Sequence, residues 1–322
     1  MKLKTTPKAL ECLLAVNLDV NIWSARRKLS PDDFSHGDLP PEGLASLGSK
    51  RICDPNELKI FGTLKSRAVS LLSKSGVRFL GGWAIPEGKA PDIIHQLDII
   101  SKDFLKAKND FISRYDQSVA TWIKDNPGWE NIIASSTVNA DYVAKRIDFN
   151  YQLFKVVNPA DVSKTKIDIG LKCEVAKLGH TLFDEVAKSA QDAWKKSYLG
   201  KTEITRKALS PIKAIQSKLA DLSFIEPKVV PVAAMIDAAL EKLPKRGALT
   251  GNPLLMLKGL VSLLTDTNAL LAYAQEIIDG RSNDNVLDAL MNQSIAPLKK
   301  PKTKTNKEPV TDKPKLVSLG LW

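Results

Sequence analysis

The chain has 322 residues, 43% hydrophobic and 26% charged, with a formal net charge of +11. That size and apolar content suit one large domain or two ordinary ones, with a core that needs no disulfide staples, and they exclude a wholly disordered chain. The charge excess is uneven: residues 97–296 carry 26 basic against 24 acidic side chains, whereas residues 297–322 carry seven lysines against Glu308 and Asp312. A basic stripe on a folded face, the usual footprint of a duplex binder, is therefore not the first expectation.

The opening segment has lysines, but Glu11 and Asp19 interrupt its apolar run and no small-residue cleavage site follows, so no signal peptide is expected. The longest apolar runs, near 229–236 and 253–264, are broken by Pro231 and Lys258, and no stretch reaches the roughly 18 apolar residues of a membrane span. Three widely spaced cysteines, Cys12, Cys53 and Cys173, fit reduced thiols. The expected location is the cytoplasm, without stable membrane insertion.

In chain order, "AVNLDVNIW" (15–23) alternates Val16, Leu18, Val20 and Ile22 with Asn17, Asp19 and Asn21, the period-two pattern of a strand with one wet and one dry face. Ser30 and Pro31 suit the start of a short helix, with Asp32 and Asp33 as capping carboxylates. A Gly/Pro-rich loop follows. Asp54, Pro55 and Glu57 then form a capping-box start for a helix that Gly76 ends. "VRFLGGWAIP" (77–86) predicts a second strand with a bulge or close backbone approach at Gly81–Gly82.

From Asp92 the period becomes helical: Ile93, Leu97, Ile100, Phe104, Phe111, Tyr115, Val119 and Trp122 predict about 30 helical residues, roughly 45 Å. "DNPGW" (125–129) is a turn. Further helices are predicted near 139–155, 166–198, 203–223 with a kink at Ser210–Pro211, 230–243, 253–264 and 267–279, and the sequence has no internal repeat of fixed period. The fold class is mainly α: an elongated antiparallel helical bundle (91–296), a small N-terminal α/β head with two strands (1–90), and a disordered basic C-terminal tail (297–322).

Chemistry-bearing motifs are sparse. His36, His95 and His180 have no His or Cys at ligand spacing, no G-x-S-x-G elbow is present, and "LGSKR" and "ALTGNP" fall short of a phosphate loop. No catalytic residue, metal or cofactor is expected. The candidate contacts are Arg26, Arg27 and Lys28 beside Trp23, with Lys50 and Arg51; basic groups next to an aromatic ring hold single-stranded nucleic acid or the acids of a protein partner. The tail ends in Leu316, Leu319, Leu321 and Trp322, a candidate docking peptide anchored by its tryptophan.

The blocks "LDVNIWSARRKL", "LPPEGLASLGSKRICDPNELKIFGTLKSRA", "GVRFLGGWAIPE" and "YVAKRIDFNYQLF" resemble a bacterial family of unknown function, domain of unknown function number 3150, over roughly residues 10–280. The family occurs in phages, mobile elements and proteobacterial chromosomes, often beside genes for a MoxR-type or cobaltochelatase-like AAA ATPase and a von Willebrand A-domain protein. The resemblance implies a third component of an ATPase-driven machine. Together with the long near-neutral helices, the lack of site chemistry and the apolar C-terminal peptide, the expected function is a non-enzymatic interaction or adaptor protein working with such an ATPase. The alternative is a nucleic-acid-associated protein using the basic head and tail.

Overall fold

The computed structural model describes residues 7–30, 33, 48–157 and 166–282. The chain is mainly helical with a small antiparallel sheet. The candidate docking peptide Leu316–Trp322, His36 and most of the loop before Gly48 lie outside the described residues.

The alternating segment forms β1 (Leu13–Asn21), preceded by the short helix α1 (Pro7–Glu11). It is a central strand of a four-stranded sheet in the order β4-β5-β1-β6. Where one bulged strand was predicted at 77–86, the chain folds as a hairpin of β4 (Val77–Phe79) and β5 (Gly82–Pro86). Its turn places Leu80 at φ 48° and Gly81 at φ 79°, the two successive left-handed residues that a tight hairpin turn requires. The close approach is at Gly82, where a Cβ would lie 2.1 Å from the Val16 carbonyl oxygen.

The larger correction concerns 139–155. A short helix, α6 (Ala140–Ala144), ends early, and Asp148–Phe154 forms β6, paired with β1 from Ala15↔Phe154 to Asn21↔Asp148. In "IDFNYQLF" the apolar residues Ile147, Phe149, Tyr151 and Leu153 alternate with polar ones, and that period-two signal overrides the helical reading. The sheet therefore has four strands rather than two, and one comes from beyond residue 90.

Both faces of β1 are used. Val16 and Val20, with Trp83, Ile85 and Phe149 of its neighbours, pack on α2 (Lys59–Ser75) and α3 (Ala90–Ser113). Leu13 and Ala15, with Val77, Phe79 and Ala84, join a second apolar cluster built from α7 (Lys166–Ala193), α8 (Ser210–Asp221), α9 (Val229–Glu241), α10 (Gly251–Leu264) and α11 (Thr267–Ile278). Beyond that cover, Asn17, Asp19 and Asn21 are exposed and face Gln152, Asn150 and Asp148 across the ladder.

Local signals are partly redirected. Asp54 caps as expected, accepting from the Asn56 amide at 2.8 Å, but Glu57 pairs with Arg114 at 2.9 Å instead of closing a capping box. Gly76 ends α2 in extended backbone; the absent side chain matters because a Cβ there would lie 2.5 Å from the Ala84 carbonyl oxygen. The long helix from Asp92 breaks at Arg114 into α3 and α4 (Tyr115–Lys124), and α5 (Glu130–Ala134) follows the turn. Pro211 stands in the first turn of α8, where its missing N–H costs nothing, so it starts a helix instead of kinking one. Two further short strands, β7 (Glu203–Ile204) and β8 (Leu249–Thr250), pair with each other. Among the described residues no single helix is long and apolar enough to cross a membrane.

Candidate binding site

Five of the six candidate contacts come together on one small ribbon. β2 (Arg26–Lys28) pairs antiparallel with β3 (Ser49–Arg51), setting Arg26 opposite Arg51 and Arg27 opposite Lys50. Like charges directly opposite each other in a ladder are destabilising. Only one of the five is neutralised by an ion pair among the described residues: the Lys50 ammonium meets Asp33.

Asp33 closes this corner. One carboxylate oxygen accepts the Ser30 amide at 2.8 Å and the other accepts from Lys50. The Lys50 hydrogen bond, helped by the Ser30 amide, holds the Asp33 carboxyl below its usual value of 3.8. Most of the short helix expected after Ser30 lies outside the described residues; within them Asp33 pairs with Lys50.

The ribbon begins on strained backbone. Ala25, 2% exposed, sits at φ 53°, and its carbonyl accepts the Ile52 amide at 3.0 Å. A left-handed alanine costs on the order of 1 kcal/mol, and the adjoining core holds it there. Trp23 belongs to that core. It is 7% exposed and meets Tyr115 edge-on at 5.7 Å, the end of a chain of rings that runs from Phe149 through Phe104, Phe61 and Phe111. Trp23 therefore supports the ribbon and is unavailable as the stacking platform that its position beside the arginines suggested. Burial pushes the Tyr115 hydroxyl up to about 12 and the Cys53 thiol above its ordinary value.

The residues that sequence reasoning missed are Tyr142, Lys145 and Arg146. They stand across a groove of about 380 Å³ from Arg26 and Arg27. The Arg146 guanidinium carbon lies 3.5 Å from the centroid of the Tyr142 ring, and that of Arg27 lies 5.3 Å from it. One tyrosine thus holds two guanidinium groups, one from each wall. Tyr142 and Arg146 are four residues apart, the spacing that puts side chains on one helical face, and that is the signal that could have found them. Four cations line this groove and no carboxylate of the described residues does.

On the β3 side lies a second hollow of about 310 Å³, lined by Leu29, Trp122, Trp129, Ile132 and Ile133 with Lys50, Arg51 and Asn126. The Trp122 indole N–H donates to the Arg51 carbonyl at 3.3 Å, fixing its ring against the ribbon. Gly128, at φ 88°, turns the chain so that Trp129 stands 55% exposed.

The remaining titratable groups form no comparable assembly. Among the described residues there is no group of three or more His, Cys, Asp or Glu side chains placed to hold a metal ion. His180 pairs with Asp184 at 3.0 Å on the surface of α7.

The family model described as protein of unknown function (DUF3150) matches residues 10–266. The chain belongs to this family. The match takes in the sheet, the ribbon, both hollows and the helices through α10, and it stops at Asp266, the N-cap of α11. No curated protein and no solved structure matches the chain significantly.

Proposed function

We propose that this chain is a non-catalytic interaction protein that docks an acidic surface of a protein partner on the β2–β3 ribbon. The supporting observation is the placement of like charges opposite one another, Arg26 facing Arg51, on a ribbon entered through the left-handed Ala25. Such an arrangement costs folding free energy, and a bound anionic surface offsets it. Tyr142 adds preorganisation: its ring lies against the guanidinium groups of Arg27 and Arg146, and its carbonyl accepts one Arg146 N–H at 3.3 Å, which leaves the remaining guanidinium N–H groups for carboxylates.

In this reading the sheet with α2–α6 is the docking part, and α7–α11 are a helical bundle that stiffens it from behind. The protein works in the cytoplasm. The family resemblance makes a MoxR-type or cobaltochelatase-like AAA ATPase, with its von Willebrand A-domain companion, the partner to test.

The test is size-exclusion binding between the purified chain and the ATPase encoded beside it, with wild type run against an Arg26→Gln/Arg27→Gln/Arg146→Gln variant. Co-elution with wild type and its loss with the variant is the expected outcome. Absence of co-elution with either contradicts the partner. A second reading, binding of single-stranded nucleic acid, draws on the same cations and on the exposed Trp129 ring. Retention of DNA or RNA by the purified chain at low salt, with affinity that falls steeply as salt rises, is the result that favours this second reading, and no retained nucleic acid at low salt removes it.

A further inference from the structure

The two hollows flank one narrow ribbon and differ in chemistry. We infer that together they recognise a short peptide segment in which acidic residues adjoin a single large apolar side chain. The acids meet Arg26, Arg27, Lys145 and Arg146 on the β2 side, and the apolar side chain enters the Trp122–Trp129 hollow on the β3 side. This rests on the proposed function and deepens it by naming what the docking surface reads.

Charge decides the first half. The β2-side groove presents four cations, and its other polar contributors, such as Asn21 and Ser24, are uncharged. Among the described residues none of Arg26, Arg27, Lys145 and Arg146 has an ion-pair partner. Guanidinium groups bind carboxylates through two parallel N–H bonds, and the strongest such pairs form where the fork is already oriented. Tyr142 supplies that orientation for Arg27 and Arg146.

Shape and composition decide the second half. Leu29, Ile132 and Ile133 surround the indoles of Trp122 and Trp129, so the hollow rewards a leucine-sized or aromatic side chain by removing its surface from water. An indole exposed in an apolar setting is the residue type that dominates binding energy at protein interfaces. Neighbouring strands are about 4.8 Å apart, so a ligand crossing the ribbon from one hollow to the other spans only a few extended residues. A peptide of that length carries both chemistries.

Nucleic acid fits less well. Tyr142 has guanidinium groups against its ring, and Trp23 is buried. Both aromatic residues that line the cationic groove are compromised for stacking, Trp23 by burial and Tyr142 by the Arg146 guanidinium against its ring, and stacking is what gives single-strand sites their affinity.

The experiment is fluorescence anisotropy at low and physiological salt with three probes on the full chain. One is a twelve-residue acidic peptide with a central leucine, the second the same peptide with serine there, and the third a single-stranded oligonucleotide of similar length. The expected result is that the leucine peptide binds about tenfold more tightly than the serine peptide, a step typical of one buried anchor. Trp129→Ala abolishes that difference, and Arg27→Gln/Arg146→Gln weakens both peptides. Because Trp129 is exposed, its removal leaves the fold intact, which circular dichroism checks. Equal binding of the two peptides, or tighter binding of the oligonucleotide, overturns the inference. If the ATPase co-elutes while the peptides do not discriminate, this inference fails and the proposed function stands. If the peptides discriminate and the ATPase does not co-elute, the named partner fails and the recognition chemistry stands.

Discussion

The Lys218 ammonium donates to Glu185 Oε2 at 2.6 Å, and this pair ties four elements together. Lys218 on α8 also donates to the Ser73 carbonyl at 2.7 Å, in the last turn of α2, where the helix dipole favours a cation. The other Glu185 oxygen, on α7, accepts the Arg78 amide of β4 at 2.9 Å. Lys218 is 8% exposed, the one buried charged residue among those described. The pair sits where α8 and α7 of one apolar cluster meet α2 of the other, so the orientation of the two layers depends on it.

Breaking that pair from one side leaves a charge in an apolar setting. Lys218→Met is expected to lower stability by roughly 2–4 kcal/mol, below the full range for a buried pair because Glu185 keeps 23% of its side chain exposed. Removing both charges, Lys218→Met with Glu185→Leu, should recover part of that loss, the remainder reflecting the Arg78 amide left without its Glu185 acceptor. Urea denaturation of the two variants checks the order.

The β4–β5 turn gives two opposite predictions. Leu80 is 49% exposed at φ 48°, so Leu80→Gly relieves left-handed strain and should raise stability by about 0.5–1 kcal/mol. Gly82→Ala forces a methyl into the Val16 carbonyl and should cost on the order of 3 kcal/mol or prevent folding. Thermal melts of the pair read the two signs directly.

Trp23 separates support from contact. Trp23→Phe keeps most of the edge-on packing against Tyr115 and should leave ligand affinity nearly unchanged, whereas Trp23→Ala should destabilise by roughly 3–5 kcal/mol. A Trp23→Phe variant that folds normally but loses binding would return Trp23 to the contact surface.

Asp33 sets a pH dependence. Its folded-state value lies below 3.8, so the stability it contributes is fully present above that pH and is lost as pH falls through the lowered folded value. Asp33→Asn should remove this part of the acid sensitivity while weakening the ribbon at neutral pH. Monitoring the carboxyl signal by NMR titration, with Lys50→Met as the control, tests the assignment: the signal should titrate higher once Lys50 is gone.

What the sequence made legible was what local rules govern. The alternation in 15–23 gave β1, the glycine pair gave the close approach at Gly82, and the long apolar periods gave α7 and the helices after it. The strand at 148–154 was missed although its alternation is as clear as that of β1, because a helical start at Ala140 was extended through it. For the site, the arginines and lysines were visible as a run, but antiparallel pairing alone makes Arg26 face Arg51. The four-residue spacing of Tyr142 and Arg146 marks them as a local pair, but that they join the ribbon depends on β6 bringing the preceding segment back beside it, a long-range event. Trp23 shows the converse: it lies between β1 and β2, and position next to basic residues says nothing about whether a side chain turns into the core.

The measurement that tests the central claim most directly is a paired one on Arg26→Thr, which removes the like charge facing Arg51 and one of the acid contacts together. Chemical denaturation and binding of the leucine-bearing acidic peptide are measured on the same preparation at low salt. If the ribbon keeps like charges together for binding, the variant should be more stable by a few tenths of a kcal/mol and bind the peptide more weakly. A variant that is less stable than wild type, or that binds the peptide as tightly, would contradict the account.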